Sequence, residues 1–328
     1  MSTAIGILGT GAYFPSHVVT NEEVGGPAGV TDEWIRAKTG IHSRRRAKPD
    51  EATSDLATYA ARTALEDAGV RAQDVSLIVV ATTTPDMLGP ACACMVAGNL
   101  ECPVTTAAFD LHAACSGFPY ALSMAERHIR AEGGHALVIG ADTYTRFLNP
   151  ADPRTVVLWG DGGGAVVLGP VPEGRGLIRS RLMSHGAEFG LATIPGIGSR
   201  EPIGARTLAE GRHYVHMNGR RITEIVKERV PGLVADFLAE AGVDRTEVDH
   251  LIPHQGNDMM VRSLGPMFGL DNATVHSTSR DYGNTGSASI PVTLDQARRA
   301  GDISPGDTAL LVAFGAGITF GFTLLRWQ

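Results

Sequence analysis

The chain has 328 residues, 43% hydrophobic and 19% charged, an ordinary globular composition with ample material for a large core. Its net charge of −7 and pI near 5.9 argue against a general nucleic-acid binder. No apolar run reaches the ~18 residues of a membrane span. Residues 1–10 lack the basic region and long apolar stretch of a signal peptide, so a cytoplasmic protein is expected.

The length allows two domains or one large duplicated one, and the chain repeats itself at an offset of 173 residues. Ala64–Val70 followed by Asp74–Val79 reads as an amphipathic helix, a Gly turn and a short apolar strand. Leu238–Val243 followed by Glu247–Ile252 reads the same way. The offset also carries His135–Ile139 onto Thr308–Val312. Gly69 and Gly242 stand where a helix-terminating glycine belongs. Apolar strands alternating with helices predict sheets covered by helices. The Pro/Gly-rich stretch at Pro170–Gly174 places the boundary, giving halves 1–172 and 173–328. Residues 183–215 match nothing in the first half and read as inserted loops covering a site.

Four cysteines are present: Cys92, Cys94, Cys102 and Cys115. No C-x-x-C pair or Cys/His spacing fits zinc, so free thiols and no metal are expected. Cys92 and Cys94 are expected to pack as small hydrophobes. Cys115 is different. A strand-like approach, Thr105 to Leu111, runs through small residues into the helical pattern from Phe118. A sulfur at that turn meets the positive end of a helix, which favours the thiolate, a species able to hold an acyl group as a thioester.

Two further pieces lie downstream. His254, in Pro253-His254-Gln255-Gly256-Asn257, follows a buried strand, where α/β folds bind ligands. Asn284, in Tyr282-Gly283-Asn284-Thr285, precedes a helix of small residues. Each has a bland reading when taken alone: a structural thiol, a core histidine, a helix cap. The offset carries Cys115 onto Ala288, four residues from Asn284, which predicts that the Cys and Asn turns meet in one cleft. His112 is expected to pack or hydrogen-bond locally. Gly160–Gly164 is read as a place of close backbone approach and lacks the context of a nucleotide fingerprint.

These stretches resemble β-ketoacyl-acyl-carrier-protein synthase III of the thiolase superfamily. So do Gly9–Pro15, Thr31–Ile35 with Thr39–Ile41, Gly160–Ala165 and Phe314–Thr319, and the resemblance covers essentially the whole chain. It implies a five-layer αβαβα thiolase-like fold built from two α/β halves, and a homodimer. It implies Cys115 as nucleophile toward an acyl-coenzyme A, and the backbone N–H groups of Cys115 and Ala316 as oxyanion donors. His254 and Asn284 match the donors to the enolate of a malonyl thioester, carried by coenzyme A or an acyl carrier protein. Trp34, Asn257 and Arg154 match coenzyme A contacts. No resident cofactor is implied.

Three departures bear on substrate. Gly89, after Met87 and Leu88, stands where acetyl-specific members carry a phenylalanine, and the lost ring leads to an expected starter larger than acetyl. Met87 or Leu88 refilling the space is the alternative. Met259 replaces a carrier-binding arginine, leaving Arg220, Arg221 and Arg262 to meet an anionic carrier. Arg154 is shifted by one position, and Lys38 stands where an arginine often sits. Both bear on coenzyme A affinity or on exchange of the donor for a carrier-bound acyl chain, and the departures together point to a specialised pathway such as polyketide priming. The alternative activity is an acyltransferase that moves the group from Cys115 to a hydroxyl, amine or carrier thiol without condensation.

Overall fold

The computed structural model describes residues 4–328, and its layers follow from where the apolar runs fall. Ten strands build two sheets. The first holds β1 (Ala4–Tyr13), β2 (Val75–Ala81), β3 (Ala107–Leu111), β4 (His135–Asp142) and β5 (Gly162–Val171) in the order β1-β5-β4-β2-β3. The second holds β6 (Gly176–Ser184), β7 (His250–Pro253), β8 (Thr274–Val275), β9 (Thr308–Gly315) and β10 (Thr319–Arg326) in the order β8-β7-β9-β10-β6. Read from β1 and from β6, both sheets run antiparallel, antiparallel, parallel, parallel. All strands of the first sheet precede Pro172 and all of the second follow it.

Apart from Ser76 and Thr308 near their starts, β2 and β9 carry no polar side chain because both of their faces are covered. Leu77, Val79 and Ala81 of β2, with Ala309, Leu311 and Ala313 of β9, face one shared core. Two helices, α4 (Gly117–Glu132) and α7 (Ser289–Arg299), lie in that core between the sheets. Ile78 and Val80 face outward onto α2 (Thr53–Ala68) and α3 (Cys92–Asn99). Leu310, Val312 and Phe314 face α5 (Gly219–Ala241) and α6 (Asp258–Phe268). The result is the expected five-layer αβαβα arrangement. A short helix, α1 (Asp32–Thr39), lies outside these layers and reaches α6.

The repeat is offset by 173 at the central strands, His135–Asp142 against Thr308–Gly315. It slips at the turn that matters. The single 3₁₀ turns Ala114–Ser116 and Gly286–Ala288 begin at equivalent places, and Ala114 and Gly286 both have positive φ, 48° and 62°. The offset there is 172, so Cys115 corresponds to Ser287 and not to Ala288. The cysteines also need a correction. All four are free, but only Cys92 of the first two is buried, while Cys94 lies on the exposed side of α3. No helix among the described residues is long and apolar enough to cross a membrane.

The halves are locked by close backbone approach. A Cβ at Gly140, in the middle of β4, would stand 2.3 Å from the carbonyl oxygen of Ser287. Within the first half, a Cβ at Gly163 on β5 would likewise stand 2.6 Å from the Leu56 carbonyl oxygen of α2. Because the atom opposite Gly140 is backbone, it cannot swing away. Gly140→Ala is expected to cost about 1–3 kcal/mol of unfolding free energy by overpacking. Urea titration checks this, and an unchanged midpoint would show that the halves separate easily.

Candidate active site

A cavity of about 1630 Å³ opens where the C-terminal strand ends of the two halves face each other. Cys115, His254 and Asn284 all line it, although they come from three separate segments. The inserted loops supply much of its cover through Phe189, Ile194, Ile197 and Val215, as the unmatched stretch 183–215 predicts.

Cys115 sits in the turn between β3 and α4 and is buried. The end of β9 presses on this turn: a Cβ at Gly315 would lie 2.8 Å from the Cys115 nitrogen and 2.9 Å from that of Ser116. The Thr319 hydroxyl is shared between the carbonyls of Ala113 and Ala316, 3.1 Å from each. That hydroxyl joins the Cys115 turn to the loop holding Ala316. The expectation of a lowered thiol pKa is corrected here. Burial pushes the Cys115 thiol up, the nearby Asp142 carboxylate pushes the same way, and the residue's own N–H opposes them without prevailing. Desolvation is the larger effect because the charged form has lost its water, so the resting sulfur is a thiol.

His254 follows the last residue of β7, and its backbone N–H donates to the Val312 carbonyl at 2.8 Å. Its ring stands edge-on to Phe314 at 5.5 Å, and Nδ1 is hydrogen-bonded to the Ser289 hydroxyl at 2.8 Å. Burial without a compensating carboxylate pulls its pKa down to about 3, so the imidazole is neutral. With Nδ1 taken by Ser289, Nε2 is the nitrogen left for a ligand.

Asn284 is clamped by its backbone. Its N–H donates to the Leu158 carbonyl at 2.8 Å, and its carbonyl accepts from the Gly160 N–H at 3.0 Å. Its side-chain oxygen accepts from the Gly286 N–H at 2.9 Å, which leaves the amide NH₂ as the free donor. Arg44 props the clamp from below. It is fully buried and donates to the Val157 carbonyl and the Asn21 side chain, each at 2.8 Å, while burial pulls its pKa down to about 10. Gly160 and Gly283 are glycines at the same place, since Cβ atoms there would press on Arg44 or on nearby carbonyls. Nothing in the run Arg44-Arg45-Arg46 marks one member as buried, and Ser289 and Thr319 carry no sequence signal either.

The remaining expected site residues divide. Asn257 lines the cavity, but its side-chain oxygen also caps α6 by accepting from the Met260 N–H at 2.8 Å. Arg154 and Lys38 line it too, with Arg154 paired to Asp152 at 2.8 Å. Trp34, on α1, is 39% exposed and is not among the lining side chains, whereas Lys38 one turn on is. Met87 and Leu88 reach the cavity; Gly89 does not, and a Cβ there would meet nothing within 4 Å. The space beside Gly89 is therefore outside the cavity wall of this chain. His112 is exposed at the cavity wall, not packed.

A buried thiol, a neutral imidazole and a clamped amide around one cavity, on a doubled α/β fold, define a thiolase-like condensing enzyme. Family models described as "3-Oxoacyl-[acyl-carrier-protein (ACP)] synthase III" and its C-terminal part match residues 109–186 and 238–327. The chain is 49% identical to the acetoacetyl CoA synthase NphT7 of Streptomyces sp. (strain CL190), over 98% of each chain. It is 40% identical to a beta-ketoacyl-acyl-carrier-protein synthase III of Caldanaerobacter subterraneus subsp. tengcongensis, covering 99% of this chain and 98% of that one. The crystal structure of the priming beta-ketosynthase from the R1128 polyketide biosynthetic pathway superposes with a TM-score of 0.92 at 32% identity, covering 100% of this chain and 97% of that one. The chain belongs to the β-ketoacyl-acyl-carrier-protein synthase III family and is an enzyme of that kind.

Raising a thiol pKa has a direct consequence in solution. Alkylation of Cys115 by iodoacetamide, read from the mass of its peptide, is expected to be slower at pH 7 than that of free cysteine. It should keep rising beyond about pH 8.5, the ordinary thiol value. A plateau below that pH would show a resting thiolate instead.

Proposed function

We propose that the protein is an acyltransferase acting through condensation, with Cys115, His254 and Asn284 as its catalytic residues. Cys115 attacks the carbonyl of an acyl-coenzyme A. The sulfur–carbon bond to Cys115 forms, the bond to coenzyme A breaks, and the thiol proton ends on the coenzyme A thiol. The backbone N–H groups of Cys115 and Ala316 receive the oxyanion. A malonyl thioester then loses CO₂. His254 Nε2–H and the Asn284 NH₂ donate to the enolate oxygen, and the enolate carbon takes the acyl group from Cys115. One proton taken up restores the thiol.

The observation that carries this reading is the pairing of two neutral donors in a buried site. Ser289 Oγ lies 2.8 Å from Nδ1 of His254, and in the tautomer this role requires its hydroxyl donates to Nδ1 and the hydrogen is on Nε2. The Gly286 N–H occupies the Asn284 oxygen and so turns its NH₂ outward. Neutral donors stabilise an enolate without protonating it, and simple acyl transfer has no use for the second of them. No resident cofactor is required by this chemistry.

The name of the acetoacetyl CoA relative favours an acetyl starter and a coenzyme A ester as acceptor, since acetoacetyl is an acetyl unit extended by two carbons. Tyr144, Phe147 and Trp159 line the cavity, and the first and last pack in one buried cluster with Cys115, which fits a short acyl group. A second reading keeps a longer starter. It is favoured by Met87 and Leu88, which line the cavity yet are 46% and 94% exposed and so do not fill it. Arg154 and Lys38, which line the cavity, would meet the phosphates of coenzyme A, and Asn257 and Trp34 its pantetheine and adenine parts. Replacement of the carrier-binding arginine by the exposed Met259 also favours a coenzyme A acceptor, with Arg220, Arg221 and Arg262 as the surface cations left for a carrier.

We also propose a cytoplasmic homodimer. The edge strand β3 exposes Phe109, and the adjoining loop exposes Met87 and Leu88, an apolar edge that a second copy would cover. A sedimentation mass of one chain would overturn this.

Intact-protein mass after incubation with acetyl-CoA and longer acyl-CoAs tests the chemistry. One acyl adduct is expected, absent in Cys115→Ser, and the chain length that loads fastest decides between the two starters. Asn284→Ala should keep the adduct and lose about 100-fold in CO₂ release from malonyl-CoA. Undiminished CO₂ release would return the site to simple acyl transfer.

A further inference from the structure

The duplication repeats the contacts at the centre of the molecule, and the protein fills one of the two copies itself. With offsets of 173 at the strands and 172 at the turn, Cys115, His254, Ser289 and Gly315 correspond to Ser287, Ala81, Gly117 and Asp142. His254 is bonded to Ser289; Ala81 packs on Gly117, whose added Cβ would lie 2.9 Å from it. In the copy holding Cys115, β9 ends at Gly315 against the Cys115 nitrogen and leaves that N–H a cavity to face. In the other copy, β4 ends at Asp142, and its carboxylate enters the equivalent space. Oδ2 accepts from the Ser287 backbone N–H at 2.7 Å, the counterpart of the Cys115 N–H, and lies 2.7 Å from the Ser287 hydroxyl, whose single proton is shared with the Ala81 carbonyl at the same distance.

Side-chain sizes are exchanged to suit. A Cβ at Gly286 would lie 2.3 Å from Asp142 Oδ2. Its counterpart Ala114 carries a Cβ at a similar positive φ, because Gly315 opposite has no side chain. The other carboxylate oxygen accepts from the N–H groups of Thr83 at 2.8 Å and Thr84 at 3.2 Å, and from the hydroxyls of Thr82 and Thr84, each at 3.1 Å. One buried carboxylate thus joins the loop after β2 to the turn after Asn284. Within that turn, Gly286 N–H orients the Asn284 amide.

We propose that Asp142 is a positioning residue for Asn284: a buried carboxyl group that occupies the second copy's oxyanion hole and, through Ser287, fixes the turn that aims the Asn284 amide. The inference rests on the enolate role of Asn284 given above. It predicts a split between the two half-reactions, which general loss of structure would not produce.

Asp142→Asn cannot accept on both faces, since its NH₂ meets donors on one of them. Acylation by acetyl-CoA, followed by mass, is expected not to fall, since the carboxylate that helps hold the Cys115 thiol up is removed, while CO₂ release from malonyl-CoA by the acylated enzyme falls about 10- to 100-fold. Adding Asn284→Ala to Asp142→Asn should cost far less than it does in the parent, since both remove one function. If Asp142→Asn does not fold, Ser287→Ala serves. It keeps the backbone N–H and should slow CO₂ release about three- to tenfold with acylation unchanged, the loss of one hydrogen bond. Equal falls in both half-reactions, or a larger fall in acylation, would overturn the proposal. Unchanged CO₂ release in a folded variant, with Asn284→Ala still crippled, would overturn it while leaving the enolate role intact. If Asn284→Ala is also unimpaired, the underlying functional reading fails.

Discussion

Exclusion of water from the junction of the two halves is the constraint on which the site depends. Removing solvent keeps His254 neutral and holds Cys115 as a thiol, and it strengthens every hydrogen bond aimed into the cavity. The dryness comes from layering. Helices bury both faces of β2 and β9: α4 and α7 fill the space between the sheets, while α2 and α3 cover the outer face of one and α5 and α6 that of the other. The helix N-terminus beneath Cys115 offers only partial positive charge, which loses to complete burial. On the proposed reading of Cys115 as the acyl acceptor, the proton of the resting thiol leaves in the acylation step itself.

The site shows how a duplicated fold obtains one active centre from two equivalent places. Strand ends and turns of both halves converge with the same geometry, so backbone N–H groups point inward twice. Composition decides which place remains open. Gly315 has no side chain and leaves space beside Cys115; Asp142 fills the same space beside Ser287. A buried turn N–H needs an acceptor, and a carboxylate from the partner half supplies it where no substrate will. Positioning of Asn284 and stability at the junction then depend on the same atoms.

Much of the fold was legible because it rests on local pattern. Apolar runs such as Val75–Ala81 and Thr308–Gly315, closed by strand-end small residues, mark central parallel strands. Gly69 and Gly242 mark helix ends through φ values of 64° and 67° that favour glycine. The repeat at 173 gave the two-halved architecture, and the three motifs gave the cavity's reactive side chains. Less legible were groups whose importance is contact at long range. Arg44 reads as part of a basic run, Gly89 as pocket space, and Ser289 and Thr319 as ordinary helix and strand residues. The register at Ser287 was missed by one residue because an offset measured on strands does not hold through a turn that has gained or lost a residue.

The sequence by itself determined the element order and the doubling, because these follow from periodicity and a constant offset, and its motifs, through their family resemblance, singled out Cys115, His254 and Asn284 as the groups to expect at the junction. Only the tertiary structure decided the protonation of the thiol and imidazole, which face of each donor is free, and which of two equivalent turns is open. Those properties arise from burial and from partners more than 30 residues away in the chain, such as His254 with Ser289 and Asp142 with Ser287. Desolvation and hydrogen-bond occupancy are sums over neighbours in space, and no local stretch of chain contains them.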